Sequence, residues 1–290
     1  MEPATARWLG DVLGAPCVGL RSLSFGITSE LELVEAGGER FVLRTYGDPH
    51  ALARGPGVVT DEAVVLGAAQ EILGHLVPRL VACDPTGDAA GHPAVVMSFL
   101  PGTPTIHGLD LATVVEVLTR LHGAPVPDGL PRFRHWYDPA RAAVPAWSAV
   151  PELWAGLVEL ARSAQPDERA VFIHRDFHPG NLLWVGGELT GIVDWVEGCH
   201  GPRPAEVAHL RANLALVDGV DAADRFLATY GRANPSYRHD PWWDAAELLT
   251  WDDGFEGVMA FTAFGARVDV GLLRARADEF ARAVRARAGG

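Results

Sequence analysis

The run His174-Arg175-Asp176-Phe177-His178-Pro179-Gly180-Asn181 concentrates groups that could do chemistry. Asp176 and Asn181 stand five positions apart across a Pro-Gly turn, a spacing that can aim both side chains at one site. A third group, Asp194, follows the short apolar stretch Gly191-Ile192-Val193. Transfer of a γ-phosphoryl group to a hydroxyl asks for such a set. A carboxylate must orient the hydroxyl and accept its proton, and magnesium takes oxygen donors in a demanding octahedral shell. Taken singly these residues say little, because a loop aspartate commonly faces water or closes an Asx turn. The signal lies in the order of base, turn and oxygen donors. A zinc site from His174, His178 and His200 is conceivable by composition, but the acid and amide positions already explain the loop.

Local elements must hold this loop in place. The apolar stretch Ala170–Ile173 predicts a strand leading into it, and Leu182–Val185 a strand leading out. After the Gly186-Gly187 turn, Leu189–Val193 predicts a further strand that ends at Asp194. Upstream, residues 3–13 suit a short helix. Leu31–Val34 and Arg40–Thr45 read as strands joined by a Gly-Gly turn. From Thr60 to Leu73 the apolar period turns helical, with Thr60 or Asp61 able to cap the start. Strands are expected at Arg79–Cys83 and Ala94–Phe99, and Leu100-Pro101-Gly102 breaks the pattern. Helices follow at Leu109–Leu121 and Glu152–Arg162, on either side of a proline-rich stretch. From Pro204 onward the chain reads as mainly helical.

Bulk composition bounds the function. The 290 residues carry 24 Lys plus Arg against 37 Asp plus Glu, a net charge of -13 that has the wrong sign for a general nucleic-acid binder. That excess would attract a cationic small molecule, or serve only solubility. Three cysteines, Cys17, Cys83 and Cys199, are widely spaced without a metal-ligand pattern and fit a reducing compartment. No apolar stretch suits a bilayer and no signal peptide is visible, so the expectation is a cytoplasmic monomer with no membrane partner.

The loop resembles that of the aminoglycoside phosphotransferase and choline-kinase-like enzymes, small-molecule relatives of the protein kinases. The resemblance implies an α+β, protein-kinase-like fold of two lobes. Residues 1–100 would be a small antiparallel-sheet lobe binding nucleotide, and residues 101–290 a larger, mainly helical lobe carrying catalytic and substrate groups. It also implies Asp176 as catalytic base, with Asn181 and Asp194 as magnesium ligands and ATP or GTP as phosphoryl donor. His174 and Arg175 would brace the loop. His178 would support it or lie near the phosphates, although a packing histidine is the plainer reading.

The same resemblance places Ser24, Gly26, Thr28 and Ser29 in a loop over the phosphates, without the multiple-glycine signature of protein kinases. Arg44 stands where relatives carry lysine. Its planar fork binds phosphate differently, and Glu62 would hold it, unless Glu62 is merely a helix-start glutamate on the surface. Val42, Val96, Met97 and Phe99 would border the base. Glu206, at a position where aspartate is usual, would brace the catalytic region. Asp240, Trp243, Asp244, Glu247, Trp251 and Asp252 form an acidic and aromatic cluster without Lys or Arg. They would grip a cationic hydroxyl substrate such as an aminoglycoside, or anchor a helix in the core. Macrolides, choline-like alcohols and amino-acid alcohols stay open as acceptors. A catalytically idle, nucleotide-binding relative is the alternative that Arg44 motivates.

Overall fold

The computed structural model describes residues 1–23, 29–47, 57–251 and 254–289. The chain packs as two compact units: residues 1–102 with 185–197, and residues 103–184 with 198–290. The N-terminal unit is a small antiparallel sheet with helices, and the C-terminal unit is larger and mainly helical.

In the N-terminal unit, α1 (Pro3–Leu13) leads to β1 (Cys17–Ser22), a strand the sequence reading did not foresee. β2 (Glu30–Ala36) and β3 (Glu39–Thr45) form a hairpin. Its two-residue loop, Gly37-Gly38, has φ of +60° and +83°. Positive φ at both positions matches strand twist and is costly for a side chain with a Cβ, so the glycines fix the register. The sheet is completed by β4 (Leu80–Asp84) and β5 (Ala94–Ser98), in the order β1-β2-β3-β5-β4. Val34, Phe41, Leu43 and Val96 pack with Trp8 and Leu9 of α1 into one core. Alternate residues of a pleated strand face opposite ways, so Val42 and Arg44 point to the other face, opposite Met97 and Val95 in the register.

α2 (Val58–Leu73) starts two residues before Thr60, with Gly57 at its N-cap and no side-chain cap bond. Asp61 falls instead in the first turn, where its charge favours the helix dipole. The segment 185–197 groups with this unit rather than with the part of the chain it follows. It contains β9, defined below, and the short turn Trp195–Glu197, whose indole donates to the Ile192 carbonyl at 2.8 Å.

In the C-terminal unit, β6 (Thr103–Pro104) precedes α3 (Leu111–Gly123), whose N-cap Asp110 accepts from the amides of Ala112 and Thr113. α4 (Pro151–Arg162) leads to β7 (Ala170–Ile173) and β8 (Leu182–Val185), which enclose the loop of interest; β6 pairs with β8. β9 (Glu188–Ile192) belongs to the N-terminal unit. β10 (Cys199–Pro202), also unforeseen, runs antiparallel to β7 with Cys199 opposite Ile173. The helices α5 (Arg203–Asp218), α6 (Val220–Ala233), α7 (Pro241–Leu248), the short α8 (Glu256–Met259) and α9 (Val270–Ala288) make up the rest.

Every residue of α5 from Pro204 to Val217 is buried. A helix covered on all sides lies at the centre of its unit, so its polar residues Glu206, His209, Arg211 and Asn213 must find partners inside. Among the described residues no helix is long and apolar enough to cross a membrane.

Candidate active site

The candidate loop leaves β7 through His174, buried completely with its ring edge-on to Phe177. Arg175 then takes a left-handed conformation, φ +73°, which is uncommon for a residue with a Cβ. Glu206 of α5 holds that bend. One of its carboxylate oxygens accepts the Arg175 amide at 2.8 Å, and the other meets His122 Nε2 at 2.5 Å. Burial raises the Glu206 pKa, but hydrogen bonding and charge from His122 outweigh it, leaving the carboxyl below its ordinary value. The bracing role expected of Glu206 thus has a specific form: it ties a strained backbone amide to a helix. Phe177 is fully buried and anchors the loop between Asp176 and His178.

His178 caps the turn Pro179–Asn181, its Nδ1 accepting from the Gly180 amide at 3.1 Å. Asn181 Nδ2 donates to the Asp176 carbonyl at 2.9 Å, which leaves its Oδ1 as the oxygen donor. A Cβ on Gly180 would lie 2.8 Å from the Phe261 ring and 3.0 Å from the His178 ring, so the turn admits no larger residue without movement. Asp176 itself is only partly buried, its side chain 27% exposed. Oδ1 is 3.1 Å from His209 Nε2 and 3.6 Å from His178 Nε2. Burial pushes the Asp176 pKa up, yet the imidazoles of His178 and His209 outweigh it and hold the carboxyl well below the usual range.

Behind Asp176, His209 of α5 turns its Nδ1 to Glu247 of α7 at 2.8 Å. Glu247 also faces Arg175 Nη1 at 3.7 Å, and the Arg175 guanidinium lies 3.6 Å over the Trp136 ring. Asp176, His178 and His209 each offer one ligand atom within 4.8 Å of the others. A transition metal would need the Nε2 lone pair of His178. With Nδ1 accepting from Gly180, a neutral His178 carries its proton on Nε2, which does not suit a metal.

The N-terminal unit presents a second cluster. Arg44, 3% exposed, lies between two acids: Nε is 3.3 Å from Glu62 Oε1 of α2, and Nη1 is 2.8 Å from Asp194 Oδ1. Tyr46 donates to the other Glu62 oxygen at 2.5 Å. Burial would lower the Arg44 pKa, but the charges of Asp194 and Glu62 raise it well above its ordinary value. Asp194 has φ +63° at the end of β9, and its side chain is 35% exposed. With Oδ1 taken by Arg44, Oδ2 is the oxygen it offers elsewhere.

Residues 20–242 match the family model of the phosphotransferase enzyme family, APH. The chain belongs to this family. A homoserine kinase of Afipia carboxidovorans is 29% identical over 192 residues, 57% of this chain and 58% of that protein. A homoserine kinase of a Bradyrhizobium species is also 29% identical, over 193 residues. The chain therefore spans somewhat over half the length of the curated relatives it matches. Among solved structures, a thermostable mutant of aminoglycoside phosphotransferase APH(4)-Ia aligns with TM-score 0.62 and 16% identity, covering 96% of this chain and 98% of its own. A macrolide 2'-phosphotransferase of Brachybacterium faecium aligns with TM-score 0.56 and 16% identity, over 93% and 95%. At these identities the likeness is one of fold: the two-lobed, protein-kinase-like architecture of the APH family.

The remaining residues singled out from the sequence fall into three groups. Ser24, Gly26, Thr28 and Asp252 lie outside the described residues; Ser29, just before β2, is half-buried. Val42 and Met97 share the sheet face of Arg44, and Phe99 lies under the Arg40 guanidinium at 4.3 Å. Val96 is a correction. It is fully buried on the opposite face, within the α1 core, so Val95 and not Val96 shares the face of Arg44.

The acidic cluster is also corrected in part. Asp244 is fully buried, bonded to Arg211 Nε at 3.0 Å and to His239 Nε2 at 2.8 Å. Trp243 packs against Ala205 and Ala208 of α5 and stacks on His135. These two hold α7 in the core and have no surface for a ligand. Asp240 caps α7 through the Trp242 amide at 2.8 Å. Trp251, half-buried, stacks on Phe255. Among the described members of this group, Glu247 reaches the loop that carries Asp176, through His209 and Arg175. Sequence reasoning missed His209 and Trp136. A histidine one turn beyond Glu206 on the same helix was the available signal for the first.

Proposed function

We propose that this chain is a magnesium- and ATP- or GTP-dependent kinase for a small hydroxyl compound, with Asp176 as its base. The observation that carries this reading is the Asp176–Asn181 pair. One hydrogen bond, Asn181 Nδ2 to the Asp176 carbonyl, locks a base carboxylate and a hard oxygen donor into a single turn. Membership of the phosphotransferase family supports the same chemistry.

Asn181 Oδ1 and Asp194 Oδ2 are the oxygens that would hold magnesium, and oxygen donors are what this ion prefers. When bound, it would neutralise charge on the transferring phosphoryl group. Asp176 orients the acceptor hydroxyl and takes its proton as the new O–P bond forms and the bond from the γ-phosphorus to the departing nucleoside diphosphate breaks. Arg44, positioned by Glu62, contributes cationic charge on the nucleotide side.

The acceptor in this reading is an amine-bearing small molecule. Burial of Asp244 in an ion pair removes one carboxylate that a polycation would need, which favours an acceptor with few amines over a polycationic aminoglycoside. The homoserine kinase relatives point the same way. A transfer assay read by mass spectrometry, with Mg²⁺ and ATP or GTP against homoserine, other amino-acid alcohols, choline, aminoglycosides and macrolides, tests the proposal. A product one phosphoryl group heavier supports it and identifies the acceptor. Tight nucleotide binding with no product from any of them would favour a catalytically idle relative.

A further inference from the structure

We infer that His209, anchored by Glu247, is a positioning residue that clamps one oxygen of Asp176 and leaves the other for the acceptor hydroxyl. The inference rests on Asp176 being the base proposed above. A carboxylate has two equivalent oxygens and a side chain free to turn, whereas hydroxyl activation needs one oxygen in one place. In this structure the two oxygens are not equivalent. Oδ1 lies 3.1 Å from His209 Nε2, while Oδ2, among the described residues, has Asn181 Nδ2 at a long 3.4 Å.

The clamp is built from rigid parts. His209 is carried by α5, buried along its length, and is itself 4% exposed. Its other nitrogen is 2.8 Å from Glu247 Oε1 on α7, a residue 6% exposed. An imidazole with a carboxylate at each nitrogen donates to both only as imidazolium. Asn213 Nδ2 also approaches His209 Nε2, at 3.3 Å, but bonds the His209 carbonyl at 3.0 Å. Arg175 completes the set by facing Glu247 at 3.7 Å. Two carboxylates and two cations therefore form a charge-balanced chain, Arg175–Glu247–His209–Asp176.

Burial disfavours a charged imidazole, yet the charge of Glu247 and the bonds to both carboxylates raise the His209 pKa from 6.5 to about 9. The imidazolium is thus maintained at neutral pH, in agreement with the geometry. His178 is a poorer candidate for the clamp. It lies farther from Oδ1, and its Nδ1 is occupied by the Gly180 amide.

Kinetics of His209→Ala, His209→Gln and Glu247→Gln, with nitrogen-edited NMR of the imidazole protons in the unliganded protein, test the inference. His209→Ala is expected to lower kcat by about 10- to 100-fold while the nucleotide KM stays within about twofold. His209→Gln, which keeps a donor for Oδ1, should recover most of the loss. In wild type, NMR should show both His209 N–H protons at neutral pH, with the Nε2 signal shifting in Asp176→Asn and the Nδ1 signal in Glu247→Gln. Wild-type kcat in His209→Ala overturns the inference, as does a loss that falls equally on nucleotide KM and is not relieved by glutamine. If wild type transfers to no acceptor, the functional reading fails on its own. The NMR still decides on the clamp, because a His209 Nε2 signal unmoved by Asp176→Asn overturns it.

Discussion

Arg44 is held by two carboxylates at once, and the cost of removing it follows from their burial. The contact with Glu62 at 3.3 Å joins side chains 4% and 1% exposed. At an effective dielectric of about 20 their gross attraction is roughly 5 kcal/mol. Desolvation offsets much of this in the intact pair, but removing one partner of a buried pair typically costs about 3–5 kcal/mol. Tyr46 continues to satisfy one Glu62 oxygen, which puts Arg44→Met near the lower end of that range. The Asp194 arm, 35% exposed on the acid side, adds no more than about 1 kcal/mol after solvent screening. Arg44→Met should therefore destabilise by about 3–4 kcal/mol, and Arg44→Met with Glu62→Gln by only about 1–2 kcal/mol, because the double change leaves no buried charge uncompensated. Urea unfolding at neutral pH, followed by the fluorescence of the buried indoles Trp8 and Trp195, gives all corners of the cycle. A single variant within 1 kcal/mol of wild type, or a double variant as costly as the two singles added, would refute the claim that the arginine is a buried, fork-held cation.

Other outcomes follow from the same geometry. Asp176→Asn should bind nucleotide with near wild-type affinity in calorimetry but lose transfer by about 100-fold or more, whereas Asp194→Ala should lose Mg²⁺-dependent nucleotide affinity first. Gly180→Ala should lower kcat and the melting temperature together, because its Cβ would meet Phe261 at 2.8 Å; a fully active alanine variant would show that the turn has slack. The raised His209 pKa sets a pH dependence of stability. Its contribution is complete below the ordinary value of 6.5 and is lost as pH rises through about 9. The lowered pKa values of Glu206, Asp244 and Glu247 act oppositely, their contributions being lost as pH falls below the usual carboxylate range. Melting temperatures across pH should decline on both sides, and in His209→Gln the alkaline decline should shrink.

The sequence was most informative where chemistry and local geometry coincide. Asp176, Gly180 and Asn181 lie within one turn, so their spacing alone states how they can meet. The hairpin at Gly37-Gly38 was legible for the same reason, since a two-residue glycine loop dictates its own backbone. Longer-range arrangements were not. β1 and β10 are short, and their identity as strands comes from partners distant in the chain. Val96 could not be separated from Val95 because both are apolar, and only the register assigns a face. Asp244 looked like a pocket acid because one of its two partners, Arg211, stands 33 residues away on another helix, and a nearby histidine such as His239 does not by itself mark a carboxylate as buried.

His209 shows why the supporting layer of a site is harder to read than its reacting layer. Asp176 sits on a loop, where a single turn constrains it. The residues that fix its orientation sit on α5 and α7, whose contact with the loop is set by helix packing. α5 carries Glu206 and His209 three residues apart, close enough to share one helical face. The first residue ties down the strained Arg175 amide, and the second meets the Asp176 carboxylate one residue later. One buried helix thus contacts both the backbone bend and the carboxylate of the proposed base. Such a helix must be polar where a core helix is usually apolar, and each of its polar groups is acceptable only because it is bonded. Removing Glu206 should consequently disturb catalysis and folding together, whereas removing His209 should fall mainly on catalysis. That contrast separates the scaffold of the loop from the aim of its carboxylate.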